Sequence, residues 1–324
     1  MKVIPLEYKE VNYKDYIKRP ANDSDYDNLI NEDCMLTDTS GKILGVYITI
    51  PDEKTKLLRE VVKRIHYQTN RRTQGLTTTS RIFGYMPRET IRKDYCSSTA
   101  LARQSPKEHA VIAGFATTLS EYYQKTCPEM YAKHAAEVEA NIKPEWKIQG
   151  TPFTSGIINK DNQLNYHFDR GNIKKVYSNM LAFKKHCKGG YLCMPEYRIA
   201  LEIADNSCTF FDGQEILHGV TPFELIDQGG YRYTLVYYSL QQMWKCEEIN
   251  AEIARFRTRK TEREKTRVKR MRGELEFDVL KDIPKEKSKN YKIFKELNIP
   301  IEFIGTPFTR LPKEYQKRLN EYKR

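Results

Sequence analysis

The stretch LNYHFDRGN, residues 164–172, sets an imidazole and a carboxylate two positions apart, His167 and Asp169, inside an alternating apolar run. Side chains at i and i+2 of a strand point to the same face, so the two groups stand side by side. That arrangement serves two ligands of one metal ion, and it serves equally well a structural hydrogen bond between His and Asp. His218 lies 49 positions beyond Asp169 in EILHGVTPF, a later strand candidate. Two histidines and one carboxylate form the facial set that holds non-haem Fe(II) and leaves three coordination positions open for a co-substrate and dioxygen. The other histidines, His66, His109, His134 and His186, lack comparable strand settings. His109 and His134 fall on expected helices and read as ordinary surface or core residues.

Arg232 follows His218 by 14 positions in YRYTLVYYSL, with Thr234 on the same strand face. A guanidinium binds a carboxylate through two parallel hydrogen bonds and stays charged when buried, and a neighbouring hydroxyl adds another donor. The pair suits the distal carboxylate of 2-oxoglutarate, whose keto-acid end would chelate the iron. Arg232 by itself reads as a surface ion pair. Four elements in order, on strands, read as a site.

These residues need a scaffold, and the pattern supplies one after Trp146. WKIQG, FTSGIIN, LNYHFD, KVYSNMLAF, GGYLCM, RIALEIA, SCTFFDG, EILHGVTPF and RYTLVYYSL are short strand candidates separated by Asp-Asn, Gly-Gly and Asp-Gly turns. Strands at this spacing predict a sandwich or jelly roll. The amino-terminal part is mostly helical. DEKTKLLREVVKRI predicts a helix with Leu57, Leu58, Val61, Val62 and Ile65 on one face. Ser105, Pro106 and Glu108 predict a capped start for a second helix, whose stripe is Val111, Ile112, Phe115, Leu119 and Tyr122. Pro128 opens a third. CMLTDTSGKILGVYITI reads as two strands about a turn, TTTSRIFGYMPRET as a loop, and residues 1–33 as an extended arm packed on the body.

Composition sets the outer limits. Of 324 residues 30% are charged and 39% hydrophobic, which suits a globular chain with polar extensions. No apolar run approaches the roughly 20 residues of a membrane helix, and the amino terminus shows no secretory signal. Seven cysteines, none in a CxxC pair, make a disulfide framework or zinc knuckle unexpected and favour a reducing, intracellular setting, cytoplasmic or nuclear. The net charge is +12, and the eighteen residues from Arg255 to Arg272 hold ten Lys or Arg against two Glu. That density is an electrostatic footprint for a polyanion, most often nucleic acid, or else a solvated, salt-bridged helix.

The run FTSGIIN…LNYHFD…GGYLCMPEYRIALEIADNSCTFFDGQEILHGVTPF…YRYTLVYYS resembles the TET/JBP family of Fe(II)- and 2-oxoglutarate-dependent nucleobase dioxygenases, in a microbial or phage-like form. The likeness runs over about residues 35–245 and includes the upstream FGYMPR and the capped helix. It implies an α+β fold with a double-stranded β-helix core, jelly-roll or cupin-like, braced by amino-terminal helices. The expected division is a dioxygenase domain over 1–248 (helical support to about 145, β-helix from about 146) and a basic carboxy-terminal extension over 249–324.

The resemblance also implies the chemistry. His167, Asp169 and His218 would hold Fe(II), and Arg232 and Thr234 would hold 2-oxoglutarate. With O2, the co-substrate would be decarboxylated to succinate while the methyl of 5-methylcytosine or thymine in DNA is oxidised to 5-hydroxymethyl, with further oxidation products within the family's range. A base inside a duplex cannot reach such a site and must be flipped out, which calls for stacking faces and phosphate contacts. Tyr238 is the candidate stacking face. Arg81, Tyr85 and Arg88 are candidates for the flanking backbone, and Arg255, Arg257, Arg259 and Lys260 for sequence-independent contact. The chain is expected to act as a monomer, away from membranes. Two alternatives stay open: an oxygenase acting on RNA or a protein side chain, and an inactive nucleic-acid-binding protein on a cupin-like shell.

Overall fold

Two segments far apart in the chain, Ile43–Thr49 and Ser207–Phe211, pair antiparallel inside a ten-stranded sheet. The computed structural model describes residues 1–71, 77–88, 94–272, 274, 291–303 and 311–322. From one edge the sheet runs Lys2–Leu6, Cys34–Asp38, Ile43–Thr49, Ser207–Phe211, Ser178–Lys185, Tyr231–Tyr238, Ser155–Lys160, Thr77–Met86 and Gln68–Arg71, with the short Ser97–Ser98 pairing off this path. A four-stranded sheet orders Gly219–Val220, Leu192–Met194, Ile199–Leu201 and Asn28–Ile30.

Period-2 alternation gives the large sheet two working faces. Along Ser178–Lys185, Leu181 and Phe183 are fully buried in the main apolar core, whereas Ser178 and Met180 border an internal cavity. The core side is covered by the helices Asp52–Arg64 and Pro106–Thr126, which contribute Leu58, Val62, Ile112, Ala116 and Leu119. The chain divides by its contacts into Met1–Phe256 and Arg257–Arg324. In the second unit a small apolar cluster joins Phe294 and Ile299.

Several expectations need correction. TTTSRIFGYM is a ten-residue strand rather than a loop; its β-branched and aromatic residues outweigh its hydroxyls once it pairs with Ser155–Lys160. LNYHFD is not a regular strand but makes a single bridge, His167 to His218. WKIQG ends a 3-10 turn, Pro144–Trp146. Leu57 is 63% exposed, because the buried face of its helix is Thr55, Leu58, Val61 and Val62. Ser105 is the N-cap with Pro106 at the first position, but its side chain makes no capping hydrogen bond. Cys96 and Cys246 form a disulfide, 5.7 Å between Cα atoms, against the expectation from the cysteine pattern. The amino-terminal arm is not simply extended: it contains strands in both sheets and the helix Tyr13–Tyr16.

Candidate metal centre and its cavity

The two histidines are brought together by backbone pairing. The amide of His167 donates to the carbonyl of His218 at 2.9 Å, and the amide of His218 donates back at 3.2 Å. Each imidazole is then oriented by a carbonyl two residues upstream: Nδ1 of His167 lies 2.8 Å from the Asn165 oxygen and Nδ1 of His218 lies 2.9 Å from the Ile216 oxygen. A carbonyl only accepts, so Nδ1 carries the proton and each Nε2 keeps its lone pair. Both Nε2 atoms face Asp169 Oδ1, at 3.6 Å from His167 and 3.9 Å from His218. Those separations are too long for hydrogen bonds, so the structural His–Asp bond is not made. The three ligand atoms lie within 4.8 Å of one another.

Two further features fit this donor set to a cation. Asp169 is held by its amide, which donates to the Gly213 carbonyl at 2.7 Å. A Cβ at Gly213 would stand 2.4 Å from Asp169 Oδ2 and 3.2 Å from His218 Cε1, so any side chain there would have to displace the Asp169 carboxylate. Burial first, and the neighbouring His167 second, push the His218 imidazole down to about 4 against the pull of Asp169. The ring is therefore neutral at physiological pH, as a metal ligand must be.

The cavity holding these residues is about 210 Å³ and takes its walls from both sheets. That is below the ~300–1,000 Å³ of drug-sized pockets and is on the scale of a small diacid. Arg232 and Thr234 line it. Arg232 is 2% exposed; its guanidinium lies over the Phe223 ring and hydrogen-bonds backbone oxygens, Nη1 to Asn162 at 3.4 Å and Nη2 to Gly190 at 3.1 Å, while Nε has no hydrogen-bond partner. No carboxylate among the described residues pairs with it. Burial pushes the group down to about 10, so it enters the cavity as a full positive charge. This is not the surface ion pair that Arg232 alone suggests. Gly190, with φ of +73°, gives the side chain its room: a Cβ there would lie 2.8 Å from Nε.

Tyr238 borders the same cavity. Arg81, Tyr85 and Arg88 do not. Arg81 is 5% exposed and donates to Gln104 at 2.5 Å. Tyr85 packs edge-on against Trp146, with ring centroids 5.6 Å apart. Arg88 is bound to the buried Glu252 and, at 3.2 Å, to Glu247. A strand and two partnered arginines stand where a phosphate-contacting loop was expected. Arg255, Arg257, Arg259 and Lys260 lie on the helix Ile249–Met271; Arg257, Arg259 and Lys260 are exposed, with Arg259 also 3.0 Å from Glu262.

Residues that the sequence pattern did not single out complete the walls. Asn159 sits 3.5 Å from the Thr234 hydroxyl and accepts from Asn162 at 3.1 Å. Arg170 and Asn172 border the cavity, Arg170 exposed to solvent. Both stand in the LNYHFDRGN stretch, where their place directly after a metal-ligand motif was the available signal.

Residues 83–241 match the Tet_JBP family model, the oxygenase domain of the 2OGFeDO superfamily. The chain is 22% identical over 209 residues to thymine dioxygenase JBP1 of Trypanosoma brucei brucei, a match covering 63% of this chain and 24% of that protein. Against thymine dioxygenase JBP1 of Crithidia fasciculata it is 23% identical over 198 residues, covering 58% and 24%. The chain thus spans about a quarter of the length of these relatives. Among solved structures it is similar to NgTET1 in complex with 5mC DNA, with a TM-score of 0.47 and 14% identity over 70% of this chain and 89% of that one. It is also similar to a 2OG-Fe(II) oxygenase family oxidoreductase from Burkholderia pseudomallei, with a TM-score of 0.40 and 11% identity over 60% and 88%.

Proposed function

Since the chain belongs to the TET/JBP family of oxygenases, we propose that it is an Fe(II)- and 2-oxoglutarate-dependent dioxygenase that oxidises the methyl group of a 5-methylpyrimidine in DNA. The observation that carries this reading is the sharing of one cavity by three converging metal-donor atoms and one buried, unneutralised guanidinium. His167, Asp169 and His218 would hold the iron. Arg232 and Thr234 would take the distal carboxylate of 2-oxoglutarate. With iron bound there, O2 is the oxidant, one oxygen atom going to succinate as 2-oxoglutarate loses CO2 and the other into a C–H bond of the methyl group. The protein's part is to bind iron and co-substrate, to keep the two imidazoles aimed at one point, and to admit one base.

In this reading the two facing sheets form a double-stranded β-helix, residues 1–248 make the oxygenase domain and residues 249–324 a basic extension. A methyl stacked within a duplex cannot enter a cavity walled by two sheets, so the base is flipped out. Tyr238 offers it an aromatic face, and Arg170, exposed beside the cavity, offers the adjacent phosphate a cation. The cations of Arg255–Arg272 add affinity without sequence preference. Thymine and 5-methylcytosine both present the required methyl, and the relatives' activity on thymine makes thymine the first base to try. No described helix is long and apolar enough to cross a membrane.

The test is nucleoside mass spectrometry after incubation with Fe(II), ascorbate and 2-oxoglutarate on duplexes carrying thymine alone or added 5-methylcytosine. A 5-hydroxymethyl product that disappears without 2-oxoglutarate is expected. Turnover of 2-oxoglutarate with every DNA unchanged would contradict the substrate; neither turnover nor product would contradict the enzyme.

A further inference from the structure

The amino-terminal arm lies before the segment that matches the family, yet it grips both backbone segments that carry the histidines. Tyr13 donates its hydroxyl to Glu196 Oε1 at 2.7 Å, and the other oxygen of Glu196 accepts the amide of Leu217, next to His218, at 2.8 Å. Glu196 is 2% exposed, and its own carbonyl accepts the amide of Lys9 at 2.7 Å. On the other side, Tyr166, next to His167, exchanges backbone hydrogen bonds with the arm: its amide donates to Arg19 at 2.9 Å and its carbonyl accepts from Lys18 at 3.1 Å. The Tyr166 hydroxyl, fully buried, donates to Asp25 Oδ2 at 3.0 Å, and Arg19 neutralises Asp25 at 2.7 Å. Ala21 is buried with Tyr166 and Leu217 in one small cluster, and the Tyr13 ring meets Phe168 edge-on at 5.2 Å.

These contacts converge on residues 166, 168 and 217, the immediate neighbours of the two histidine ligands. The His167–His218 bridge is an isolated pair of hydrogen bonds; Val220 also donates to Leu164 at 2.8 Å and Gly219 pairs with Cys193, and the arm's contacts add to these on the residues directly beside each histidine. We propose that Tyr13, through Glu196, and Asp25, through Tyr166, are positioning residues of the metal centre. They hold the two histidine segments at the separation and tilt that a single ion requires. This inference rests on the reading of His167, Asp169 and His218 as metal ligands. Outer-shell partners of metal ligands commonly carry ~10–100-fold in metal affinity, and here that share falls to an arm that looks like an appendage in the sequence.

The experiment uses the full chain and Co(II) as a spectroscopic stand-in for Fe(II), following its visible d–d absorbance in a titration. The variants are Tyr13→Phe, Glu196→Gln and Asp25→Asn, each of which removes a hydroxyl or a charge with little change of shape. The control is Asp27→Asn, which breaks an arm pair with Arg198 that does not reach either histidine segment. Thermal midpoints of the metal-free proteins are measured alongside. Metal affinity is expected to fall ~10–100-fold in the three variants, and to hold in the control, with metal-free midpoints close to wild type. Unchanged Co(II) affinity in Tyr13→Phe and Glu196→Gln, whether or not the midpoint falls, would overturn the inference and leave the metal centre standing. A wild-type chain that binds no Co(II), or a His167→Ala variant that binds it equally well, would overturn the ligand assignment itself.

Discussion

His167 and His218 are joined through their own backbones, amide to carbonyl in both directions at 2.9 and 3.2 Å, with imidazole centroids 4.4 Å apart. The meeting of the two imidazoles is therefore a property of chain pairing and not of side-chain rotamers alone. Each Nδ1 is occupied by a carbonyl two residues back, so both Nε2 atoms aim at the same point beside Asp169.

Gly213 tests this geometry without touching a ligand chemically. A methyl there would displace Asp169 Oδ2, the far end of a rotatable side chain, with little effect on the backbone. Gly213→Ala is expected to weaken Co(II) binding by at least tenfold, as loss of an outer-shell constraint does, with its metal-free thermal midpoint near wild type. Metal affinity equal to wild type would mean that Asp169 is not a ligand.

Arg232 is expected to act on the co-substrate and not on the iron. Arg232→Ala should raise the KM for 2-oxoglutarate at least tenfold, because a paired guanidinium is lost, while Co(II) affinity holds. Lys in its place cannot reproduce the bidentate fork and should recover only part of the loss. Gly190→Ala should copy the KM effect in milder form, since its Cβ would press on Nε from a left-handed backbone. A normal KM in Arg232→Ala would place the co-substrate elsewhere.

The two arginines Arg88 and Arg170 are expected to part company. Arg88→Ala leaves Glu252, 1% exposed, without its cation, a loss of about 3–5 kcal/mol of stability for a buried charge, with DNA affinity unchanged in the folded protein. Arg170→Ala should leave stability alone, weaken DNA binding and lower its salt slope by about one. The opposite assignment of effects would return Arg88 to the substrate.

Glu252 gives the first of these a pH signature. Burial alone would raise its carboxyl, but hydrogen bonds from Arg88 and from the amides of Glu247 and Cys96 hold it below its ordinary value. A depressed native value means that the stabilisation is complete above the unfolded carboxylate range, near 4.3, and is lost as pH falls through the native value. Acid unfolding of Glu252→Gln should accordingly be less steep below about pH 5 than that of wild type, read from thermal midpoints across pH. Parallel acid limbs would contradict the pairing.

The clustering of His167, Asp169 and His218 was the most legible part of the sequence because these are rare residue types in fixed order, and Arg232, which lines the same cavity, belongs to that order. The supporting parts were not legible. Thr77–Met86 hid behind four consecutive hydroxyl residues, so Arg81 and the nearby Arg88 looked like solvent-facing cations when one is buried beside Gln104 and the other is paired with the buried Glu252. The contacts Tyr13–Glu196 and Cys96–Cys246 span 183 and 150 positions, and nothing local marks either partner. His167 and His218 looked like strand residues because the flanking apolar alternation is real, although only one bridge forms.

The most direct measurement is an anaerobic titration of the full chain with Fe(II) and then 2-oxoglutarate, following the visible charge-transfer absorbance that arises when a keto acid chelates ferrous iron. One equivalent of each is expected to develop the band in wild type, Asp169→Ala to abolish it, and Arg232→Ala to require a much higher 2-oxoglutarate concentration. A wild-type chain that shows no band, or an Asp169→Ala variant that shows it undiminished, would contradict the assignment of this cavity to iron and its co-substrate.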